Sequence, residues 1–590
     1  MILAAALLLL AGPSSCKSAT VDPTHTPQAV VDPGPGPAAE RASYSVVNEP
    51  EGEAWPILST QFLEVVPADT PFVWANLEPL PQDFVDRLMY LLEPAMKAGD
   101  RVYQEKTMSD TGEGRMARDI FGDTFSADMF QRIGVDLSAP FILYGIGLTP
   151  VARLRLASPE RFVAMVERVQ SISTTQNLSP AVFHGQAYWY GEDDDANLTV
   201  VAVVGPDLVL AMLPPGEVQR DLLPLVFGQT LPERSMAASG ELGRVQERHG
   251  LTPHFVGLLN VPVLTRTRFG RSPRGLERKV AKATGVIDSD VTGQCVGDFT
   301  RIAAWFPKIV VGFDSISTER ISGSLIVEAD PAIATRWATV AGPIQGLTAD
   351  REQEGLMTMG LGLNVDQLTS VALEAADALK RTPLECPDLS EFQDLANDAT
   401  DTGALPGWVR SVRGASMVMS DLAMDESGKV TKLDGAAVLA TSEARAVLDA
   451  TAMLLPNLDL EALDRPGKAV LFTKVMPQSP SADPTAKTAH VAYSSAGIGW
   501  AAGKHAKRRL KQVLAAERPA DGTVAMVTMD VARAFANLPS MRQSLERSDD
   551  ASTRAMLEDV FKTMGRLGYR LRLSEAGAEL EVSVDSPRTR

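Results

Sequence analysis

The chain is short of the residues on which most enzymatic chemistry depends. Its 590 residues contain three cysteines and six histidines, with no Cys-x-x-Cys and no His-Glu-x-x-His anywhere. A helical zinc pair needs histidines at i and i+4, whereas His249 and His254 stand five apart across Pro253. His184 and His490 sit in or beside strand patterns, and His25 falls in a Pro-rich stretch, so none is nominated as a ligand. Gly-x-Ser-x-Gly, the elbow that exposes a hydrolase serine, is also missing. Gly270-Arg271-Ser272-Pro273-Arg274-Gly275 is one residue too long for it, and Pro273 removes an amide that an oxyanion hole commonly uses. Gly497-Ile498-Gly499-Trp500-Ala501-Ala502-Gly503-Lys504-His505 puts Ile498 and His505 where a P-loop needs glycine and a hydroxyl, so a hairpin is expected there. Glu192-Asp193-Asp194-Asp195 lacks EF-hand spacing and reads as a solvated hairpin tip. No catalytic residue, metal site or cofactor is nominated. Positive charge is in deficit: 56 Lys and Arg against 74 Asp and Glu leave a net charge of −18, which argues against nucleic acid as the main partner.

Long apolar runs are absent too, apart from Met1 to Ala11 (MILAAALLLLA), far short of the roughly 20 residues of a spanning helix. A short apolar run followed by Gly12-Pro13-Ser14-Ser15-Cys16 reads as a signal peptide over 1–15. With cysteine directly after small residues, the segment resembles a bacterial lipoprotein signal, which implies that Cys16 is lipidated and becomes the mature N-terminus. It departs from that pattern in having no Lys or Arg before the run and Pro13 where leucine is usual, so an ordinary cleaved signal remains the alternative. Lys17, in place of the aspartate that retains some lipoproteins at the inner membrane, favours the outer membrane.

Residues 16–57 follow as a tether rich in Pro, Ala, Thr and Gly without apolar periodicity. About 40 flexible residues span roughly 35 Å, enough to lift a folded body off a membrane. If Cys16 carries lipid, Cys295 and Cys386 remain as a pair in an oxidising compartment, either bridged or as two buried thiols.

At this length more than one core is expected, and the folded part reads as the same phrase twice, over 58–345 and 346–590. The first copy has strands at 141–145 and 152–156, a Ser158-Pro159 helix start, and a helix at 161–169. Strands at 181–190, 198–204 and 208–212, a helix at 217–226 and a strand at 254–260 follow. The second copy has strands at 416–422 and 433–440, a Thr441-Ser442-Glu443 cap and a helix at 444–454. Strands at 469–475, 489–494 and 497–501, a helix at 504–515 and a strand at 524–530 complete the phrase. Each copy closes on a hairpin, 311–315 with 323–328 and 569–573 with 578–584. The expected fold class is α+β: two similar copies of an antiparallel sheet with helices packed on one face.

The opening Val66-Pro67-Ala68-Asp69-Thr70-Pro71-Phe72-Val73 resembles the start of a domain of unknown function found in exported bacterial proteins. The later order of strand, capped helix, meander and helix is similar as well, with Met236-Ala237-Ala238-Ser239-Gly240-Glu241-Leu242 following. The resemblance covers most of the chain after the tether and implies an exported α+β protein; it carries no catalytic residues with it.

Two basic clusters stand out against the acidic whole: Arg266, Arg268, Arg271, Arg274, Arg278, Lys279 and Lys282, and Lys504, Lys507, Arg508, Arg509 and Lys511. They are either solvated helix faces or surfaces for an anionic glycolipid or an envelope protein. The leading expectation is a non-enzymatic cell-envelope lipoprotein with a binding or organising role, held to the membrane through its lipid anchor. The alternatives are a secreted hydrolase with a non-local active site and a periplasmic carrier of lipid or apolar cargo.

Overall fold

A computed structural model describes residues 58–86, 88–89, 128–172, 178–193, 196–269, 275–283, 293–348, 355–401, 405–427, 429–451, 460–473, 488–546, 554, 557–558, 560–562 and 564–586. The leader, Cys16 and the tether lie outside the described residues, as do Arg271, Arg274, Asp194 and Asp195.

The chain runs α1 (Leu58–Glu64), β1 (Phe72–Ala75), α2 (Asp128–Arg132), β2 (Phe141–Ile146), β3 (Thr149–Arg155), α3 (Pro159–Ile172), β4 (Ser179–Phe183), β5 (Gln186–Glu192), β6 (Leu198–Val204) and β7 (Asp207–Leu213). Next come α4 (Val218–Val226), α5 (Met236–Ser239), α6 (Glu241–His249), β8 (Val256–Asn260), α7 (Val261–Phe269), α8 (Leu276–Ala283), α9 (Gly293–Trp305), β9 (Lys308–Ile316) and β10 (Arg320–Glu328). It continues through α10 (Pro331–Ala338), β11 (Ile344–Gln345), β12 (Met357–Gly362), α11 (Val365–Arg381), α12 (Ser390–Asp401), α13 (Gly407–Arg410), β13 (Val412–Met424), β14 (Val430–Thr441) and α14 (Ala444–Thr451). The last elements are β15 (Val470–Thr473), β16 (Thr488–Ser494), β17 (Gly497–Ala502), α15 (Ala506–Ala515), β18 (Glu517–Arg518), β19 (Thr523–Asp530), α16 (Val531–Asn537), α17 (Pro539–Glu546), β20 (Arg566–Ser574) and β21 (Gly577–Asp585).

The fold is α+β with antiparallel pairing, but the sequence expectation needs correcting in two respects. First, the strands do not form two copies with a sheet each. Among the described residues nineteen of them join one sheet, and β11 and β18 pair apart from it. The join is β10 with β21, paired over nine positions from Arg320↔Asp585 to Glu328↔Gly577. Left unpaired, each would present a long open edge of the kind that templates aggregation, and pairing removes both edges at once. Outward from this seam one side reads β10, β9, β8, β1, β2, β3, β7, β6, β5, β4. The other reads β21, β20, β19, β12, β13, β14, β17, β16, β15.

Second, helices cover both faces at β6 and β7. Val200, Ala202, Val209 and Ala211 meet Leu222 and Val226 of α4, while Val201, Val203, Leu208 and Leu210 meet Phe162 and Val166 of α3. The sequences LTVVAVV and DLVLAML are nearly continuous apolar runs, the pattern of strands covered on both sides. The expected strand over 181–190 is a hairpin instead, because His184 and Gly185 both take positive φ and turn the chain between β4 and β5.

Local capping follows the sequence closely. The Ser158 hydroxyl accepts from the Arg161 amide at 3.3 Å, and Thr441 accepts from Glu443 N at 3.1 Å. At the turn before β19, Thr523 N donates to Asp521 at 3.0 Å and Arg518 Nη2 donates to it at 2.8 Å. Burial pushes the Asp521 carboxyl up, but the bonds from Thr523 and Arg518 outweigh it and hold the group down at about 2. A depressed carboxyl contributes stability that is present above its unfolded value of 3.8 and lost as pH falls through about 2. Asp521→Asn is therefore expected to cost about 1 kcal/mol at pH 7, discounted for its exposed surface, and almost nothing near pH 2. Urea unfolding of both proteins at the two pH values checks this.

Candidate functional site: the inverted face of the central sheet

In β20 the order Arg566-Leu567-Gly568-Tyr569-Arg570-Leu571-Arg572-Leu573 alternates charge with apolar bulk, and β21 does the same in Ala578-Glu579-Leu580-Glu581-Val582-Ser583-Val584-Asp585. Period-2 alternation puts the two kinds of side chain on opposite faces of the sheet. In a water-soluble sheet the apolar face is the one normally covered. Around the β10–β21 seam the reverse holds: Glu581 is 7% exposed and Ser324 3%, whereas Leu325, Leu580, Leu571, Leu361, Met359 and Tyr569 are 37 to 45% exposed.

On the polar face Glu581 is buried and its arginines are half-buried, and the charges satisfy one another. Glu581 accepts from Arg320 Nη2 at 2.7 Å, Arg570 Nη1 at 3.2 Å and Arg572 Nη2 at 2.5 Å, so three guanidiniums surround one carboxylate. Arg572 also reaches Glu579 at 3.3 Å. The Ser324 hydroxyl lies 2.9 Å from Asp314 Oδ2 and 2.8 Å from Glu579 Oε1. One hydroxyl proton serves only one of these carboxylates at a time. Burial pushes the Asp314 carboxyl up, opposed by the Ser324 bond and aided by the charges of Glu579 and Glu581. An open cleft of about 390 Å³ on this part of the sheet is lined by Arg320, Arg566, Arg570, Glu581 and Asp585. Its arginines at positions 320 and 570 are already paired to Glu581, which leaves little for a free anion.

The apolar face is built by register. One cross-strand row runs Leu325, Leu580, Leu571, Ala525, Leu361 over β10, β21, β20, β19 and β12. The next runs Gly323, Val582, Tyr569, Val527, Met359 over the same strands. Five strands at about 4.8 Å make a floor about 19 Å across, and two rows with their margins amount to on the order of 300 Å². Apolar side chains also continue to its borders. On one side Phe84 meets Phe313, the partner of Gly323, at a ring-centroid distance of 5.6 Å. On the other, Met357, Met417 and Met529 join a cluster with Ala534 of α16, Leu538 and Met541 of α17. The result is an apolar floor between two covered margins.

The residues nominated from sequence lie elsewhere. Cys295 of α9 and Cys386, just ahead of α12, form a disulfide across 91 residues of chain. Arg266 and Arg268 are exposed on α7 while Arg278, Lys279 and Lys282 are exposed on α8, and Lys279 is paired with Asp221 at 2.6 Å. Lys504, Lys507, Arg508 and Lys511 stand exposed along α15 and the residues before it. Arg509 turns aside to pair with Asp434. Beneath them Leu510 and Val513 pack on Ala436 and Val438, on the sheet face opposite the apolar floor. The glycine string around Gly497 is strand β17. His249 lies inside the fold with Nε2 2.8 Å from Glu328. The two stretches that carry the family resemblance meet in space, Met236 N donating to Val66 O at 2.7 Å and Ala68 N to Arg234 O at 2.9 Å.

No protein-family model, curated protein or solved structure matches the chain.

The sequence signal for the apolar floor was present in the alternation of β20 and β21. Alternation separates the two kinds of side chain, but it does not say which face meets water.

Proposed function

We propose that this is a non-enzymatic protein of a bacterial cell envelope that holds apolar cargo, the acyl chains of lipids, on the open face of its central sheet. One observation carries the reading: leucine, methionine and tyrosine line the accessible face of β10, β21, β20, β19 and β12, while on the opposite face Glu581 is buried among half-buried arginines. The largest exposed apolar patch of a monomer, commonly a few hundred Å², is often functional. Covering on the order of 300 Å² is worth roughly 7 kcal/mol before the costs of association, enough for a ligand that is itself driven out of water. Floors of this kind, uncharged and flanked by covered margins, suit a long flexible chain without polar groups.

Export supports the same reading. The apolar leader before Cys16, the resemblance of Val66–Val73 and Met236–Leu242 to exported bacterial proteins, and the Cys295–Cys386 disulfide all favour an oxidising compartment outside the cytosol. On this reading Cys16 carries the lipid anchor, residues 16–57 form the stalk, and the outer membrane is the favoured site.

The test uses the full chain. Organic extraction and mass spectrometry of purified protein are expected to recover bound lipid, and a fluorescent fatty acid is expected to bind. Leu580→Glu with Leu571→Glu should weaken the probe at least tenfold with an unchanged circular dichroism spectrum, because both sites are already partly in water. Equal binding by the double variant, or none by the native protein, rejects the reading.

A further inference from the structure

We propose that the hairpin of α11 and α12 is a docking surface for a cationic amphipathic helix of a partner protein. Among the described residues the two helices bury Ala376 and Ala396, half-bury Val371, Leu379 and Gln393, and leave most of the rest of their surface open. Large apolar side chains stand on that open surface: Phe392 at 61% and Leu395 at 68% exposure, one turn apart on α12, with Leu368 and Leu373 on α11. Solvated helices rarely carry several such residues unless something covers them.

The hairpin is also held for presentation. Its turn is tied to α9 by the Cys295–Cys386 disulfide. Asp298 of α9 accepts from the backbone amides of Glu385 at 2.6 Å and Cys386 at 2.9 Å. Arg301 bridges Asp298 to the carbonyls of Thr382 at 2.9 Å and Pro383 at 3.0 Å. A preorganised helix pair loses less entropy on binding than a mobile one.

Charge decides the occupant. Between residues 365 and 401 there are nine carboxylates against two cations; Glu374 and Asp366 pair with Arg336 and Arg410 of neighbouring segments, while Glu391, Asp394 and Asp398 flank Phe392 and Leu395. An anionic membrane surface is repelled by such a patch, whereas a helix with Lys or Arg beside apolar teeth is attracted and steered to it. A second copy of this chain fits poorly. Its basic helix α15 offers Lys507, Arg508 and Lys511, but its apolar residues Leu510 and Val513 are already packed on its own sheet.

The test is titration of the full chain with a synthetic Leu/Lys amphipathic helical peptide, followed by fluorescence anisotropy. A peptide of the same composition with its amphipathic order scrambled serves as the control. The native chain is expected to bind the amphipathic peptide at least tenfold more tightly than the scrambled one. Phe392→Ser with Leu395→Ser should remove that preference, while Leu580→Glu on the sheet should leave it intact; both sites on α12 are exposed, and an unchanged melting temperature confirms folding. Raising salt from 50 to 300 mM should weaken binding several-fold. Equal binding by the Phe392/Leu395 variant, or no preference over the scrambled peptide, overturns the proposal. So does a native dimer or an attachment to anionic vesicles that this variant abolishes.

Discussion

Reduction of the Cys295–Cys386 bond is expected to lower the stability of the surrounding region by about 4 kcal/mol. The two cysteines are 91 residues apart, and closing a loop of that length removes about 4 to 5 kcal/mol of chain entropy from the unfolded state on the loop-closure model. Packing adds to this, since Cys295, Leu384, Cys386 and Leu389 form a small buried cluster with Phe299, Ile302 and Leu379 around them. The cluster is remote from the large cores of the sheet, so the loss should be local. Urea unfolding with and without a thiol reductant reports the size of the effect, and hydrogen exchange reports its location. Protection of amides in 365–401 should fall most, and amides of β6 and β7 should be unaffected. Identical midpoints in the two conditions would show that the bond constrains nothing that the fold does not already hold. Cys295→Ala with Cys386→Ala should behave like the reduced protein, without leaving a free thiol.

The second large effect is expected at the seam. Glu581→Ala removes the one carboxylate that Arg320, Arg570 and Arg572 share, although Arg320 keeps Asp585 and Arg572 keeps Glu579. Breaking a buried ion pair from one side costs about 3 to 5 kcal/mol, chiefly because the remaining charge is left unpaired. The arginines here keep part of their surface in water, which places the expected loss at about 3 kcal/mol. Arg320→Ala should cost less, because two cations still satisfy Glu581. A double-mutant cycle between positions 320 and 581 should give a coupling of at least 1 kcal/mol across the β10–β21 join. A Glu581→Ala protein within 0.5 kcal/mol of native would mean that water, and not the arginine cage, sets the energy of this face.

The same seam separates what was legible in the sequence from what was not. Strand β6 was read at its observed ends, Leu198 and Val204, because its apolar run is bounded by Asn197 and the Gly205-Pro206-Asp207 turn. Hairpins β9–β10 and β20–β21 were read from alternation and turn residues, and the caps at Ser158 and Thr441 from local chemistry. Each of those signals acts over a few residues. Pairing of β10 with β21 joins positions about 250 residues apart, and nothing within either strand names its partner. Helices α11 and α12 escaped the reading because their buried stripe is thin and much of their apolar surface faces outward. The basic residues drew attention by composition, yet Lys279 and Arg509 turned out to be paired to Asp221 and Asp434 of distant segments.

The sequence alone determined the α+β class, the antiparallel hairpins, the approximate places of most strands and the pair of cysteines able to bridge, since all of these follow from periodicity, turn chemistry and residue identity. Tertiary structure decided that the strands close into one sheet, that helices cover both faces at β6 and β7, and that Glu581 of β21 is inside while leucines of β20 and β21 stand outside. The physical reason is that a period-2 pattern is symmetric between its two faces. Which face is covered depends on what the rest of the chain brings against it.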